Sequence, residues 1–241
     1  MDITLRILLL SHVTLGFIGL VAFWVPILTR KGSPVHRRFG KLYQICAYIV
    51  LASASVAVIL RTIQYLADGH TPATRPAAFG ALLFLAYLAL VTFVVVRHGI
   101  LVLRYKKKPE AMAIPLNIWL ARLAMAASLT VITYALVMSP PNKVVLFALS
   151  PIGLLTGLGM IRYVSNPPQS SRAWLYEHLG SMIGGGIAFH TAFTVFGVTR
   201  IFDIGLDGWI AVIPWIAPAA IGLPASVIWT RHYRRKYGEL A

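Results

Sequence analysis

Glu177 and His178 stand side by side in a run otherwise fit to cross a membrane, WLYEHLGSMIGGGIAFHTAFTVFGVTR from Trp174 to Arg200. The same run holds three consecutive glycines, Gly184 to Gly186, and a further imidazole at His190. Carboxylates and imidazoles carry protons and ligate metals. At bilayer depth they are costly enough that each is a functional-site hypothesis by default. Sequence neighbours point about 100° apart on a helix, so Glu177 and His178 cannot both face one small ligand unaided. His178 and His190 are separated by roughly 18 Å along a helix axis, so one ion cannot bind both.

The remaining candidates lie elsewhere in the chain. His12 shares a helical face with Gly16 and Gly19, at i+4 and i+7. Counting from the flanking arginines, His12 sits roughly 9 Å and His190 roughly 15 Å below the same boundary. The two can meet if the first and sixth apolar segments are neighbours. Haem iron takes imidazoles from opposite sides, and two helices with small faces can sandwich the ring. His12 and His190 are therefore the first-choice cofactor ligands, for b-type haem or a transition metal. The plainer reading makes each a neutral histidine bonded across a tight helix crossing, with the glycines permitting the close approach.

Near the opposite boundary His98, Arg122, Glu177 and His178 fall at comparable shallow depth, with His36 in the adjoining loop. A carboxylate in apolar surroundings protonates unless paired, and either Arg122 or His98 can pair with Glu177. This inner cluster is read as a proton or substrate path, against the plainer reading of a Glu–Arg pair that fixes helix register. The loop RKGSPVHRRFGKLY carries His36, Arg37 and Arg38. Arg37 and Arg38 suit anionic lipid headgroups, and His36 is a candidate to fold back onto the cluster.

These groups need elements to position them, and composition says which. The chain has 241 residues, 58% hydrophobic and 12% charged, with mean hydropathy +0.76. A soluble domain carries about 25% charged residues, so the expectation is one transmembrane domain over residues 1–241. Seven apolar segments are long enough to span: about Ile7–Thr29, Tyr43–Leu66, Ala78–Leu103, Pro115–Met138, Val144–Val164, Trp174–Arg200 and Trp209–Thr230. Lipid offers no partners for free backbone groups, so the fold class is all-α, a polytopic helix bundle. Prolines inside segments five and seven should kink them and call on neighbouring helices for the freed carbonyls.

The formal charge is +15, yet the basic residues cluster in the loops after segments one, three and five and in the C-terminal tail. That pattern sets topology against an anionic bilayer and excludes nucleic acid as the partner. It predicts the N-terminus out and the C-terminus in, in a bacterial inner membrane. Asp2, Asp68, Asp203 and Asp207 fall on the poorly basic side. The first segment lacks a small-x-small cleavage site and is expected to remain as an anchor. Cys46, the single cysteine, is expected to pack as a small hydrophobe. Zinc-protease, paired-cysteine, phosphate-loop and Gly-x-Ser-x-Gly motifs are missing.

His12 with Gly16 and Gly19, followed by GSPVHRRFGKLY and an Ala/Ser-rich stretch (Ala52 to Ser55), resembles a group of uncharacterised bacterial multi-helix integral membrane proteins. In that group a helix-one His and a His-Arg-x-x-Gly loop recur, and EHLGSMIGGGIAFHTAF is similar to a segment in some members. The resemblance covers about the first 60 residues and the sixth segment. It marks His12, His36, Arg37, Gly40, Glu177, His178 and His190 as positions of interest and implies no reaction.

The sequence thus predicts an intramembrane histidine site for haem or a metal, in redox or proton transfer. The alternatives are a proton-coupled permease using Glu177 and His178, or an accessory subunit whose polar groups only fix helix contacts. A membrane-protein partner or a second copy of the chain fits any of the three.

Overall fold

The structure, a computed structural model, describes residues 3–202, 210 and 212–240. Asp2, Asp203, Asp207 and Trp209, where the seventh predicted segment opens, lie outside the described residues. Among the described residues there is helix and no strand. The main helices are α1 (Ile3–Leu28), α2 (Pro34–Ala67), α3 (Pro76–Arg104), α4 (Pro115–Met138), α5 (Lys143–Leu149), α6 (Pro151–Ser165), α7 (Ala173–Ala192) and α8 (Ile213–Lys236). A 3₁₀ turn at Pro109–Met112 precedes α4. α7 continues through a π turn at Phe193–Val198 into one more helical turn, Thr199–Ile201. Seven helical stretches are long and apolar enough to cross a membrane, with α5 and α6 together making one. This is the architecture of a multi-pass membrane protein.

The predicted segments reappear with one notable shift. The basic stretch taken as a loop is largely helix, because Ser33 and Pro34 start α2 early. Ser33 is an N-cap whose hydroxyl accepts from the His36 amide at 3.1 Å. Pro34 follows at the first helical position, where its missing N–H costs nothing. The reversal between α1 and α2 is left to a few residues, with Gly32 at φ +78°. Lys31 closes it by donating to the carbonyls of Pro26 and Ile27 at 2.7 and 2.9 Å. Burial there holds the Lys31 ammonium below its usual pKa.

The chain forms two compact units. The first comprises the residues up to Phe93 and Ala127–Pro151. In it α2 turns back along α1, burying Ala22 and Phe23 against Tyr43, Cys46 and Ala47. The Phe23 and Tyr43 rings lie 5.5 Å apart. Segment five breaks at Ser150, since Pro151 has no N–H to carry the ladder on. Tyr87 stands at that break, its hydroxyl 3.0 Å from the Leu149 carbonyl and 2.8 Å from that of Ser150. Tyr87→Phe keeps the ring and removes the donor. We expect it to cost about 1 kcal/mol, read as a lowered midpoint in mixed-micelle unfolding with helix content unchanged.

The second unit comprises Val94–Ala126 and the residues from Ile152 onward. Its buried cluster joins Val102, Met112, Tyr163, Val164 and Ala173. Glycines set several of its helix spacings. A Cβ on Gly157 of α6 would lie 2.5 Å from the Ala121 carbonyl oxygen of α4. One on Gly99 of α3 would lie 2.7 Å from Ser181 Cβ of α7. Between α7 and α8, the Thr194 hydroxyl lies 2.8 Å from the Pro214 carbonyl. Pro218 is the residue four on from Pro214 and has no N–H for that oxygen, so the freed carbonyl finds its partner on a neighbouring helix.

Candidate functional site

Gly99 allows α7 to approach α3 closely, and the neighbouring His98 uses that approach. Its Nε2–H donates to Glu177 Oε1 at 2.8 Å. One residue along each helix, the His178 Nδ1–H donates to the Gly99 carbonyl at 2.8 Å. The 100° divergence of Glu177 and His178 is thereby used rather than overcome. The carboxylate meets a side chain, and the imidazole meets the backbone beside it. Two adjacent bonds staple α3 to α7.

Of the two partners available to Glu177, the geometry uses His98. Arg122 is exposed on α4 and makes no hydrogen bond or ion pair among the described residues. The His98 side chain is 7% exposed and that of Glu177 is 31% exposed. The imidazole is thus the buried end of the pair and the carboxylate the open end. Their depths match, since Glu177 lies roughly 6 Å from the start of α7 and His98 roughly 9 Å from the end of α3.

Two further helices enclose the imidazole. From α6 the Tyr163 ring meets His98 edge-on, with centroids 5.8 Å apart and an interplanar angle of 83°. The Tyr163 hydroxyl is buried without a hydrogen-bond partner. From α4, Asn117 accepts from the Arg97 guanidinium at Oδ1. Asn117 Nδ2 donates to the Met112 carbonyl at 2.7 Å, tying α3, α4 and the 3₁₀ turn together. Beside these groups is a cavity of about 20 Å³, lined by Arg97, His98 and Asn117 together with Met112, Ala121 and Met160. That is room for about one water, with polar partners to hold it.

The remaining sequence candidates have bonds of their own. His12 belongs to the first unit, where its Nδ1–H donates to Ser53 Oγ at 2.9 Å and the Ser53 hydroxyl donates to the Val50 carbonyl. His190 belongs to the second unit, where its Nδ1–H donates to the Gly186 carbonyl one turn back, at 2.7 Å. With Nδ1 donating, the His12 ring keeps its lone pair on Nε2. A Cβ on Gly16 would meet nothing within 4 Å, so that glycine is not set by helix contact. His36 lies in the first turn of α2 and donates from Nδ1 to the Pro26 carbonyl at 3.1 Å, helping Lys31 to cap α1. Arg37 and Arg38 are exposed beside it. No three His, Cys, Asp or Glu side chains converge as a metal site among the described residues.

Sequence reasoning passed over Tyr163, Asn117 and Ser53. Asn117 carried the clearest signal, as an amide in the first turn after Pro115 of an apolar segment. A buried amide there needs partners, and Arg97 was within the same boundary region. Tyr163 and Ser53 read as ordinary members of apolar helices. Only the packing of α6 on α3, and of α2 on α1, gives them a role. Comparison of the chain with protein-family models, with curated proteins and with solved structures gives no match.

Proposed function

We propose that this seven-span protein moves protons in the inner membrane as part of proton-coupled transport, with His98 and Glu177 as the exchanging pair. One observation carries the reading: a buried imidazole hydrogen-bonded to a half-open carboxylate at the same depth of two membrane helices. Imidazole is the side chain whose ordinary titration lies nearest physiological pH, and its two nitrogens can take and give a proton in turn. Nε2 is committed to Glu177, which leaves Nδ1 to accept a proton from a cavity water. The Nε2 proton then crosses to Oε1, giving a neutral imidazole and a carboxylic acid. Release of that proton from the more open Glu177 completes one transfer, and the neutral ring resets by turning over, which carries its remaining N–H round to Glu177 and returns a free nitrogen to the cavity. On this reading the pair opens to the inner face, the side to which the positive-inside rule assigns the basic loops.

The test is proton flux into proteoliposomes under an imposed pH gradient, read with an entrapped pH dye. Wild-type protein should acidify or alkalinise the lumen above the empty-vesicle rate in either gradient direction. A rate equal to empty vesicles across a panel of small solutes removes the reading.

A second reading has its own observation. The Nδ1–H of His12 donates to Ser53 Oγ, itself anchored on the Val50 carbonyl, the arrangement that orients a metal-bound imidazole through its other nitrogen. If that ring holds haem or a metal ion, purified protein should show a Soret band or bound metal, and His12→Ala should abolish it with helix content retained. A sample without Soret absorbance and without bound metal by elemental analysis eliminates this alternative.

A further inference from the structure

The far end of α8 is built unlike the rest of that helix. Its apolar stretch gives way to Arg231, Arg234, Arg235 and Lys236 within two turns. The helix then stops at Gly238, which takes φ +71° and donates to the Arg235 carbonyl at 3.0 Å. Glu239 donates from its amide to the Arg234 carbonyl at 2.9 Å, so the tail folds back on the last turn. The Glu239 carboxylate is drawn aside, accepting from Ser170 Oγ at 2.8 Å. Leu240 then closes one end of an open groove of about 410 Å³ whose other walls are Ser226, Val227, Thr230, Arg231 and Arg234.

We propose that this groove binds the phosphodiester headgroup of an anionic membrane phospholipid. Arg231 and Arg234 stand three residues apart on one helical face, so both guanidiniums can address one phosphate. Thr230 and Ser226 add hydroxyl donors on the same face. Val227 and Leu240 supply apolar walls, which a free anion has no use for and a glycerol backbone with acyl chains does. Two arginines and no acid among its walls leave the groove net positive. The position is where a lipid headgroup lies, at the junction of the apolar stretch and the cationic turn. Arg234 also lies over the Tyr176 ring, 4.9 Å from its centroid, so a guanidinium that would hold the lipid also packs on the residue next to Glu177.

Native mass spectrometry of the full chain, released from micelles containing phosphatidylglycerol and phosphatidylcholine in equal amounts, tests the assignment. Wild type should retain phosphatidylglycerol at least tenfold over phosphatidylcholine. Arg231→Gln with Arg234→Gln should remove that preference. Arg235→Gln with Lys236→Gln makes the same charge change outside the groove walls and should keep it. Leu240→Glu, on the exposed tail, should weaken retention without altering α8 and serves as the second variant should the arginine pair impair folding. Equal loss in the two charge variants would reduce the effect to bulk attraction and overturn the proposal. Displacement of the lipid by millimolar inorganic phosphate would overturn it too, making the groove a site for free anions.

Discussion

Glu177→Gln is expected to lower proton flux in proteoliposomes at least tenfold while leaving the helices folded. The reason is that Gln reproduces the shape of Glu and offers an amide oxygen where Oε1 accepts from His98 at 2.8 Å. The hydrogen bond survives, and only the capacity to take the proton is lost. Asp at the same position keeps that capacity with a shorter reach and should restore part of the flux. His98→Gln should be equally inactive, for it retains a donor but has no second nitrogen. A pair that merely tied α3 to α7 predicts the reverse ranking, with Gln tolerated at 177 and activity following stability. His98→Leu serves as the contrasting case, leaving the carboxylate without its partner. Breaking a buried pair costs about 3–5 kcal/mol. Glu177 is 31% exposed, so roughly 1–2 kcal/mol is expected here, measured by unfolding in mixed micelles. Flux within twofold of wild type in Glu177→Gln would retire the proton-exchange mechanism, whatever the stability data gave.

The parts of this molecule that sequence could reveal are those governed by local chemistry. Apolar runs of about 20 residues have to be helices in lipid, so the existence and order of the seven spans could be read. The start of α2 was also readable, since Ser33-Pro34 is a helix-initiation pair, although the cations after it suggested a loop. The site is different. Membrane helices are apolar all round and present no polar stripe to mark the inward face. Nothing in His98 or in Glu177 alone says that α3 and α7 are neighbours. That fact rests on Gly99, whose missing side chain matters only because Ser181 and Met182 pack against it. His12 shows the opposite case. Its bond runs to a serine hydroxyl of the neighbouring α2, as the plainer reading has it, although nothing crowds Gly16.

Gly157 carries the largest stability effect expected in the second unit. A Cβ there would stand 2.5 Å from the Ala121 carbonyl oxygen and 2.5 Å from Met125 Cγ. Methionine can swing aside, but a helix carbonyl cannot, so Gly157→Ala must push α6 away from α4. Overpacking of this kind costs about 1–3 kcal/mol, and the rigid partner puts the expected value near about 3 kcal/mol. The displacement has a second consequence, because Ala121 and Met160 wall the cavity beside His98 and Tyr163 reaches that ring from α6. Gly157→Ala should therefore lower both the unfolding midpoint and the proton flux. Ala121→Gly leaves that carbonyl in place and removes only a methyl, so it should lower the midpoint by about 1 kcal/mol without displacing α6. Gly80 offers the control in the first unit, where a Cβ meets the Tyr134 ring at 3.0 Å. Gly80→Ala is expected to cost stability without changing flux per folded molecule. A flux defect in Gly80→Ala as deep as in Gly157→Ala would mean that transport reports on folding alone, and that the wall between α4 and α6 has no special part in it.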